Sequence, residues 1–312
     1  MSLHYLLISS HTAILIQTIA PVVSGLDLFK VIVLALLQGV AELFPISSLG
    51  HTVILPGILH WNINQRTPAY LAFVVMMHFG TAIALFSFYW RDWFHLLNVL
   101  WTSLKRGKPT DDPEERFIWL IVVGTIPAAL LATLFQDALK SNFGSPQSAA
   151  IFLVINGFIM IIGERLRRRA VQRDSTASEV QEVAAIGIKG AVIIGLCQSL
   201  ALFPGISRSG ATMVGGLALG LSHHASMRYA FMLASPIILA ASLKTAPDLL
   251  TPDGQSILGY AILGCVLSGL SAYASVKFLD RYFKSNRLTP FAIYCIGAGV
   301  VSLFLLSTHI GA

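Results

Sequence analysis

Six apolar runs, at 69–89, 117–135, 149–162, 225–243, 257–276 and 290–306, are almost free of charge and show no strict alternation of polar and apolar residues. Their lengths approach the ~20 residues a helix needs to cross hydrocarbon, and snorkelling flanks extend the shorter runs. The pattern predicts six full transmembrane helices. A β-barrel would instead show alternating segments of about 10 residues, which this chain lacks. Two further apolar stretches are interrupted by Pro and Ser. After the first interruption only the stretch 51–60 remains before polar sequence, roughly 15 Å as a helix, or half a bilayer. The stretch after Ser209 is equally short of a span. Each is expected to be a re-entrant helix–break–helix hairpin.

The two interrupted stretches are copies of one another. Residues 38–52 and 198–212 align without a gap at a shift of 160, and Gln38/Gln198, Ala41/Ala201, Ile46/Ile206, Ser47/Ser207, Gly50/Gly210 and Thr52/Thr212 coincide. Three predicted crossings follow each copy. A unit with an odd number of crossings, fused to its copy, is necessarily inverted, which predicts an all-α polytopic membrane protein built as an inverted-topology repeat. The expected organisation is an apolar N-terminal extension at 1–27, a first repeat at 28–163, a basic cytoplasmic loop at 164–186 and a second repeat at 187–312, all within a single integral membrane domain. Irregular backbone inside a bilayer is tolerated only where protein buries it or it lines a wet cavity. The two breaks are therefore expected to meet around one pocket near the midplane.

Charge orients this scheme. Of 21 Lys and Arg, five fall in 91–116, six in 165–189 and four in 277–287, in loops between apolar runs. Such loops lie on the cytoplasmic side. The net charge of +6 is thus an orientation signal, with no nucleic-acid partner implied, and the lipid bilayer is the expected surroundings. Residues 1–24 contain no Lys or Arg, lack the basic region of a secretory signal, and read as an interfacial or extra helix. Cys197, Cys265 and Cys295 have no metal-type spacing and read as small buried hydrophobes.

The polar groups inside the copies carry the candidate chemistry. Gln38 and Glu42, four apart, share one helix face. A carboxylate at that depth costs roughly 2.5–3.5 kcal/mol and needs a partner, and Glu42 with Gln38 can supply oxygen ligands to Mg²⁺ or Ca²⁺; the bland alternative is a protonated structural Glu. Arg208 also needs an anion, either Glu42 in a structural ion pair or a ligand. Flanked by Ser207, Ser209 and Gly210 at a helix start, with Thr212 one turn on, it has the donors of a phosphate site. Ser48 and His51 lie three apart across Gly50: one can be a nucleophile or metal-side donor and the other its base or a general acid, although Ser48 could simply cap the following helix. His4, His11, His60, His78, His95, His223, His224 and His309 are placed at helix ends or in loops and read as structural or interfacial.

Gln38 with Glu42, the run from Pro45 through Ser47, Ser48 and Gly50 to His51, and the run from Pro204 through Ser207, Arg208, Ser209 and Gly210 to Thr212 resemble the two signatures of the undecaprenyl-diphosphate phosphatase family, also called bacitracin-resistance proteins. The likeness extends from about Leu28 to Leu306. It implies an integral enzyme of the bacterial cytoplasmic (inner) membrane that removes the terminal phosphate of undecaprenyl diphosphate, recycling the lipid carrier for cell-wall synthesis with help from a divalent cation. The site is expected to be reached from the periplasmic side, and a homodimer is compatible with this. By the resemblance, Glu42 is the essential acid, Ser48 the proposed nucleophile, His51 the essential histidine and Arg208 the phosphate-binding arginine, with Ser47, Ser207, Ser209, Gly210 and Thr212 as supporting donors. Many members have Glu where this chain has Gln38, which removes one charged metal ligand. The rival expectation is a transporter or flippase for a phosphorylated isoprenoid lipid or anion, since inverted repeats are also transporter architecture. Simple anion transport, however, needs no nucleophile–base pair.

Overall fold

The computed structural model describes residues 25–107, 110–135, 145–169 and 177–308. The N-terminal extension up to residue 24, with His4 and His11, positions 170–176 of the basic loop, and His309 lie outside the described residues. Among the described residues the structure is helical throughout: α1 (Leu28–Leu43), α2 (Ser48–Ile58), α3 (Pro68–Phe88), α4 (Trp90–Arg106), α5 (Pro113–Leu134), α6 (Pro146–Arg169), α7 (Glu179–Ala184), α8 (Gly187–Ser199), α9 (Arg208–Ala218), α10 (His223–Thr245), α11 (Pro252–Tyr282) and α12 (Thr289–Thr308). Six of these (α3, α5, α6, α10, α11 and α12) are long and apolar enough to cross a membrane, at the six runs the hydropathy pattern marks. The chain is a multi-pass membrane protein.

Several helices start where a capping side chain precedes proline. Thr67, Asp112 and Thr251 accept from backbone N–H groups at the starts of α3, α5 and α11, and Pro68, Pro113 and Pro252 follow them. Proline suits that position because its missing N–H has no helical partner there anyway. Hydropathy detects only the part of a helix in hydrocarbon, so α6 and α11 run beyond the apolar stretches into charged sequence, to Arg169 and Tyr282.

One basic segment differs from expectation. The region 91–116, read as a loop, contains the helix α4. Trp93, Leu96 and Ser103 are buried, whereas Trp90, Phe94, Leu97, Trp101 and Leu104 face outward together with Arg91 and Lys105. Its charges conceal an amphipathic period, because apolar residues at helical spacing form no uninterrupted run.

α11 packs along α1 and α3, α12 along α6, α8 along α5, and α10 against α3 and α5; α9 lies against α6, α8 and α10, and α2 against α1, α6 and α12. Small residues permit close approach, since a Cβ on Gly80 of α3 would fall 2.0 Å from the Cys265 carbonyl of α11. One residue beyond Gly80 and three beyond Cys265, Thr81 and Ser268 share a hydrogen bond of 3.2 Å between the same two helices. Leu130, Phe158, Leu270 and Phe304 remain exposed on the outer faces, where lipid replaces protein as the apolar solvent. All three cysteines are free thiols, and Cys295 is fully buried.

Candidate active site

α1 ends at Leu43 and the chain turns extended at Phe44 before α2 begins. In the second copy, α8 passes through a single 3-10 turn (Leu200–Leu202), becomes extended at Phe203, and resumes as α9. Ser47 and Ser207 cap α2 and α9, each accepting from the backbone of a glycine three residues on, Gly50 and Gly210, at 3.2 Å. Capping thus falls to Ser47, and the hydroxyl of Ser48 is free for other use. Ser47 holds a positive φ of 70°, a conformation that costs a non-glycine residue about 1–3 kcal/mol and persists where the surroundings enforce it. Both helices are 11 residues long and their ends differ by 160 in number, so Ser48 and Arg208 occupy the same first helical position.

Both side chains converge on Glu42, on the last turn of α1. Ser48 Oγ donates to Glu42 Oε2, and Arg208 donates through Nη2 to Oε1 at 2.5 Å. Gln38 Nε2 donates to Oε2 at 3.1 Å, the contact expected of residues four apart on a helix. The fourth neighbour comes from elsewhere: His78 Nε2 lies 3.3 Å from Oε2, its other ring nitrogen held 2.8 Å from the Val74 carbonyl. His78 is in the interior of α3, not, as expected, at a helix end or in a loop; lying outside both copies in an apolar run, it has no motif to mark it. Glu42 is therefore a buried carboxylate (8% exposed) with three donors, from Gln38, Ser48 and Arg208, and the His78 ring around it, which offsets its desolvation.

The breaks themselves touch. A Cβ on Gly50 would come within 2.9 Å of Gly205 Cα, which the backbone there leaves no room for, and one on Gly210 would lie a tight 3.2 Å from Pro45 Cβ. Asn156, fully buried on α6, ties the two together: its Nδ2 donates to the Pro45 carbonyl and its Oδ1 accepts from the Ser207 N–H, both at 3.0 Å. Ser209 Oγ adds a bond to the Phe44 carbonyl at 3.2 Å. A lone Asn inside the run 149–162 was the available sequence signal for this clamp, since a polar side chain at membrane depth needs a partner.

A cavity of about 370 Å³ opens beside this junction. Glu42, Ser47, Ser48, His78, Gln198, Ser207 and Arg208 line it, and Leu71, Val74, Ala128, Ile237, Ile238 and Ala241 make its apolar walls. Nη1 of Arg208 is buried and has no partner, which leaves half of the guanidinium fork for a ligand. Among the described residues no three His, Cys, Asp or Glu side chains gather as a metal centre. Beside the Glu42 carboxylate, Oε1 of Gln38 is buried without a partner just outside the cavity lining, and Oε1 of Gln198 likewise within it. These few protein oxygens fit a hard cation that takes its remaining ligands from water and substrate phosphate.

The remaining sequence candidates lie beside the cavity and do not line it. Thr212 Oγ1 donates to the Arg208 carbonyl at 2.7 Å, Gly210 N to the Ser207 cap, and Ser209 to Phe44, so these groups support the backbone around Arg208. His51 faces away from Ser48, with Nδ1 2.7 Å from the Ser47 carbonyl and Nε2 2.8 Å from Tyr294 Oη on α12, the two rings stacked at 5.8 Å. The structure pairs Ser48 with Glu42 and holds His51 against the strained residue that precedes Ser48.

Comparison with known proteins places this geometry. The family profile described as bacitracin resistance protein BacA matches residues 31–301. An undecaprenyl-diphosphatase of Acidiphilium cryptum is 43% identical over 281 residues, covering 88% of this chain and 96% of that protein. Another of that name from Mycolicibacterium paratuberculosis is 42% identical over 300 residues (90% and 98%). The undecaprenyl-diphosphatase 2 of Chromobacterium violaceum is 44% identical over 282 residues (89% and 98%).

Proposed function

The chain belongs to the bacitracin resistance protein BacA family, and on that premise we propose that it hydrolyses undecaprenyl diphosphate to undecaprenyl phosphate and inorganic phosphate. The reaction returns the lipid carrier to cell-wall synthesis and confers bacitracin resistance. One observation carries this beyond the family name: a serine hydroxyl and an arginine fork meet on a single buried carboxylate inside a largely apolar cavity.

The geometry suits a two-step phosphoryl transfer. Arg208 turns its fork to the diphosphate, assisted by Ser47, Ser207 and the N-terminal ends of α2 and α9, which favour anions. Ser48 Oγ attacks the terminal phosphorus while its proton passes to Glu42, to which it already donates. The bond from phosphorus to the bridging oxygen breaks, and undecaprenyl phosphate departs. Glu42 returns that proton to the departing undecaprenyl phosphate. Water then attacks the phosphoserine phosphorus and gives a proton to Glu42. The bond from phosphorus to Ser48 Oγ breaks, Oγ takes the proton back from Glu42, and inorganic phosphate leaves. Such chemistry asks the protein mainly for position and charge stabilisation. His78 and Gln38 hold the carboxylate in place, and His51 holds the backbone at Ser47 that presents Ser48. Glu42 and Gln38 would hold a divalent cation, which supplies further neutralisation of phosphate charge when bound.

The site is reached from the periplasmic side of the bacterial inner membrane in this reading. In support, the cavity walls come from the first half of α3 and the last halves of α5 and α10, the ends remote from the basic segments. An inverted-topology repeat with two re-entrant hairpins is supported by exchange of contacts between the copies. Gly50 against Gly205 mirrors Gly210 against Pro45 at the shift of 160, and the packing of α11 on α1 and α3 mirrors that of α5 on α8 and α10. In a cysteine-free background, a cysteine at His60 should label from outside and one at His223 from inside; labelling of both from one face removes the inverted repeat.

Purified protein given isoprenyl diphosphates, with and without chelator, tests the activity. Release of inorganic phosphate that falls on chelation supports the reading. Lipid translocation without phosphate release would put a flippase in its place.

A further inference from the structure

In the second copy one polar side chain lacks the companion that its counterpart has in the first. In the first copy Gln38 spends its amide nitrogen on Glu42, four residues on. In the second copy Gln198 stands at the matching position, but the residue four further on is Leu202. Gln198 is 2% exposed, and neither its Nε2 nor its Oε1 has a partner. It lines the same cavity as Glu42, Ser48 and Arg208. An unpaired buried amide destabilises a protein by about 1–3 kcal/mol, so a group kept in that state is matched to something absent from the free protein.

We propose that Gln198 is a substrate-binding residue: its amide N–H donates to a non-bridging oxygen of the bound diphosphate, beside the free half of the Arg208 fork. This rests on the reading of the cavity as a diphosphate site. Two phosphoryl groups present more acceptor oxygens than one guanidinium can satisfy, and Gln198 together with Arg208 Nη1 supplies the cavity donors that the protein itself does not use. The second copy thus contributes a donor pair, Gln198 and Arg208, opposite the proton acceptor and nucleophile of the first. A neutral amide donates without holding product as a second cation would, which suits a site that must release phosphate on every turnover.

Gln198→Leu and Gln198→Glu separate this role from a structural one. Leucine of similar volume removes an unsatisfied amide, so the ligand-free variant should melt at or above the wild-type temperature while KM for an isoprenyl diphosphate rises about tenfold. Glutamate should raise KM further through repulsion of the diphosphate. As a ligand probe, inorganic pyrophosphate should lose about tenfold in inhibition constant against Gln198→Leu, and orthophosphate much less. A leucine variant that melts lower and keeps wild-type KM would make Gln198 structural and overturn the proposal. Normal KM and pyrophosphate inhibition in Gln198→Leu, with hydrolysis still lost in Arg208→Lys, would overturn it and leave the diphosphate site standing. Absence of hydrolysis by the wild-type protein would remove both.

Discussion

Ser48 and Arg208 stand at the same helical position, the first residue of α2 and the first of α9, and both donate to the carboxylate of Glu42, one to each oxygen. Two helix starts at matching positions of the similar segments carry different side chains, a hydroxyl and a guanidinium, aimed at one acid. The chemistry of the site follows from that difference between the copies.

Arg208→Lys should keep a cation beside Glu42, and therefore the fold, but lose the planar fork whose Nη1 is free for phosphate. The expected loss in kcat/KM is on the order of a hundredfold, the usual cost of removing one transition-state donor. Near-normal turnover with an unchanged melting temperature would remove the fork argument.

Glu42→Gln takes away the proton acceptor and leaves Arg208 and His78 without their shared anion. Activity should fall by about 10²–10⁴, the range of general-base catalysis. Stability should drop as well, because breaking a buried pair typically costs about 3–5 kcal/mol. Thermal melting alongside kinetics checks both; unaltered melting would show that the pair holds nothing together.

Ser48→Ala distinguishes covalent transfer from direct attack by water. Covalent transfer predicts loss of nearly all activity, and of the phosphoserine trapped by rapid acid quench in the wild-type protein. A residual rate within tenfold of wild type would assign the nucleophile to water.

Asn156 touches no ligand in this scheme, yet Asn156→Leu should lower both melting temperature and kcat. It leaves the Ser207 N–H unpaired, at a cost of about 1–3 kcal/mol, and the Pro45 carbonyl with only the weak contact of the Cys295 thiol at 3.8 Å. Asn156→Asp keeps the acceptor for Ser207 and should fall between the two. A leucine variant as stable as wild type would refute the clamp.

Outside the membrane-spanning helices, Glu179 meets His224 at 2.9 Å and Arg228 at 3.2 Å. Burial pushes its carboxyl up, but the His224 hydrogen bond and the neighbouring positive charges outweigh this and hold it below the ordinary carboxylate range. A depressed folded-state value stabilises the protein above the unfolded pKa of about 4.3, and that contribution disappears as pH falls through the folded value. The gap in melting temperature between wild type and Glu179→Gln should therefore be full near neutrality and close in acid. A gap that widens in acid would reverse the sign.

Much of this was legible in the residues. Six spans follow from hydropathy because lipid admits only segments that satisfy their own backbone, and a continuous apolar run is the direct trace of that demand. The copies at 38–52 and 198–212 mark where that trace is broken, and depth alone makes Glu42 and Arg208 functional candidates. Less visible was α4, whose period is hidden among charges, and the extension of α6 and α11 beyond hydrocarbon.

What tertiary structure alone decided is which polar group meets which. Ser48 and His51, three apart, read as a pair, yet the turn at Ser47 sends the hydroxyl to Glu42 and the imidazole to Tyr294, 243 residues away in sequence. His78 and Asn156 enter the site from α3 and α6, single polar residues with no motif around them. Sequence carries the spacing of side chains along one helix, since the period of the helix is fixed. Their meeting across helices depends on the relative placement of whole elements, set by small-residue contacts such as Gly50 on Gly205, and no local pattern encodes that placement.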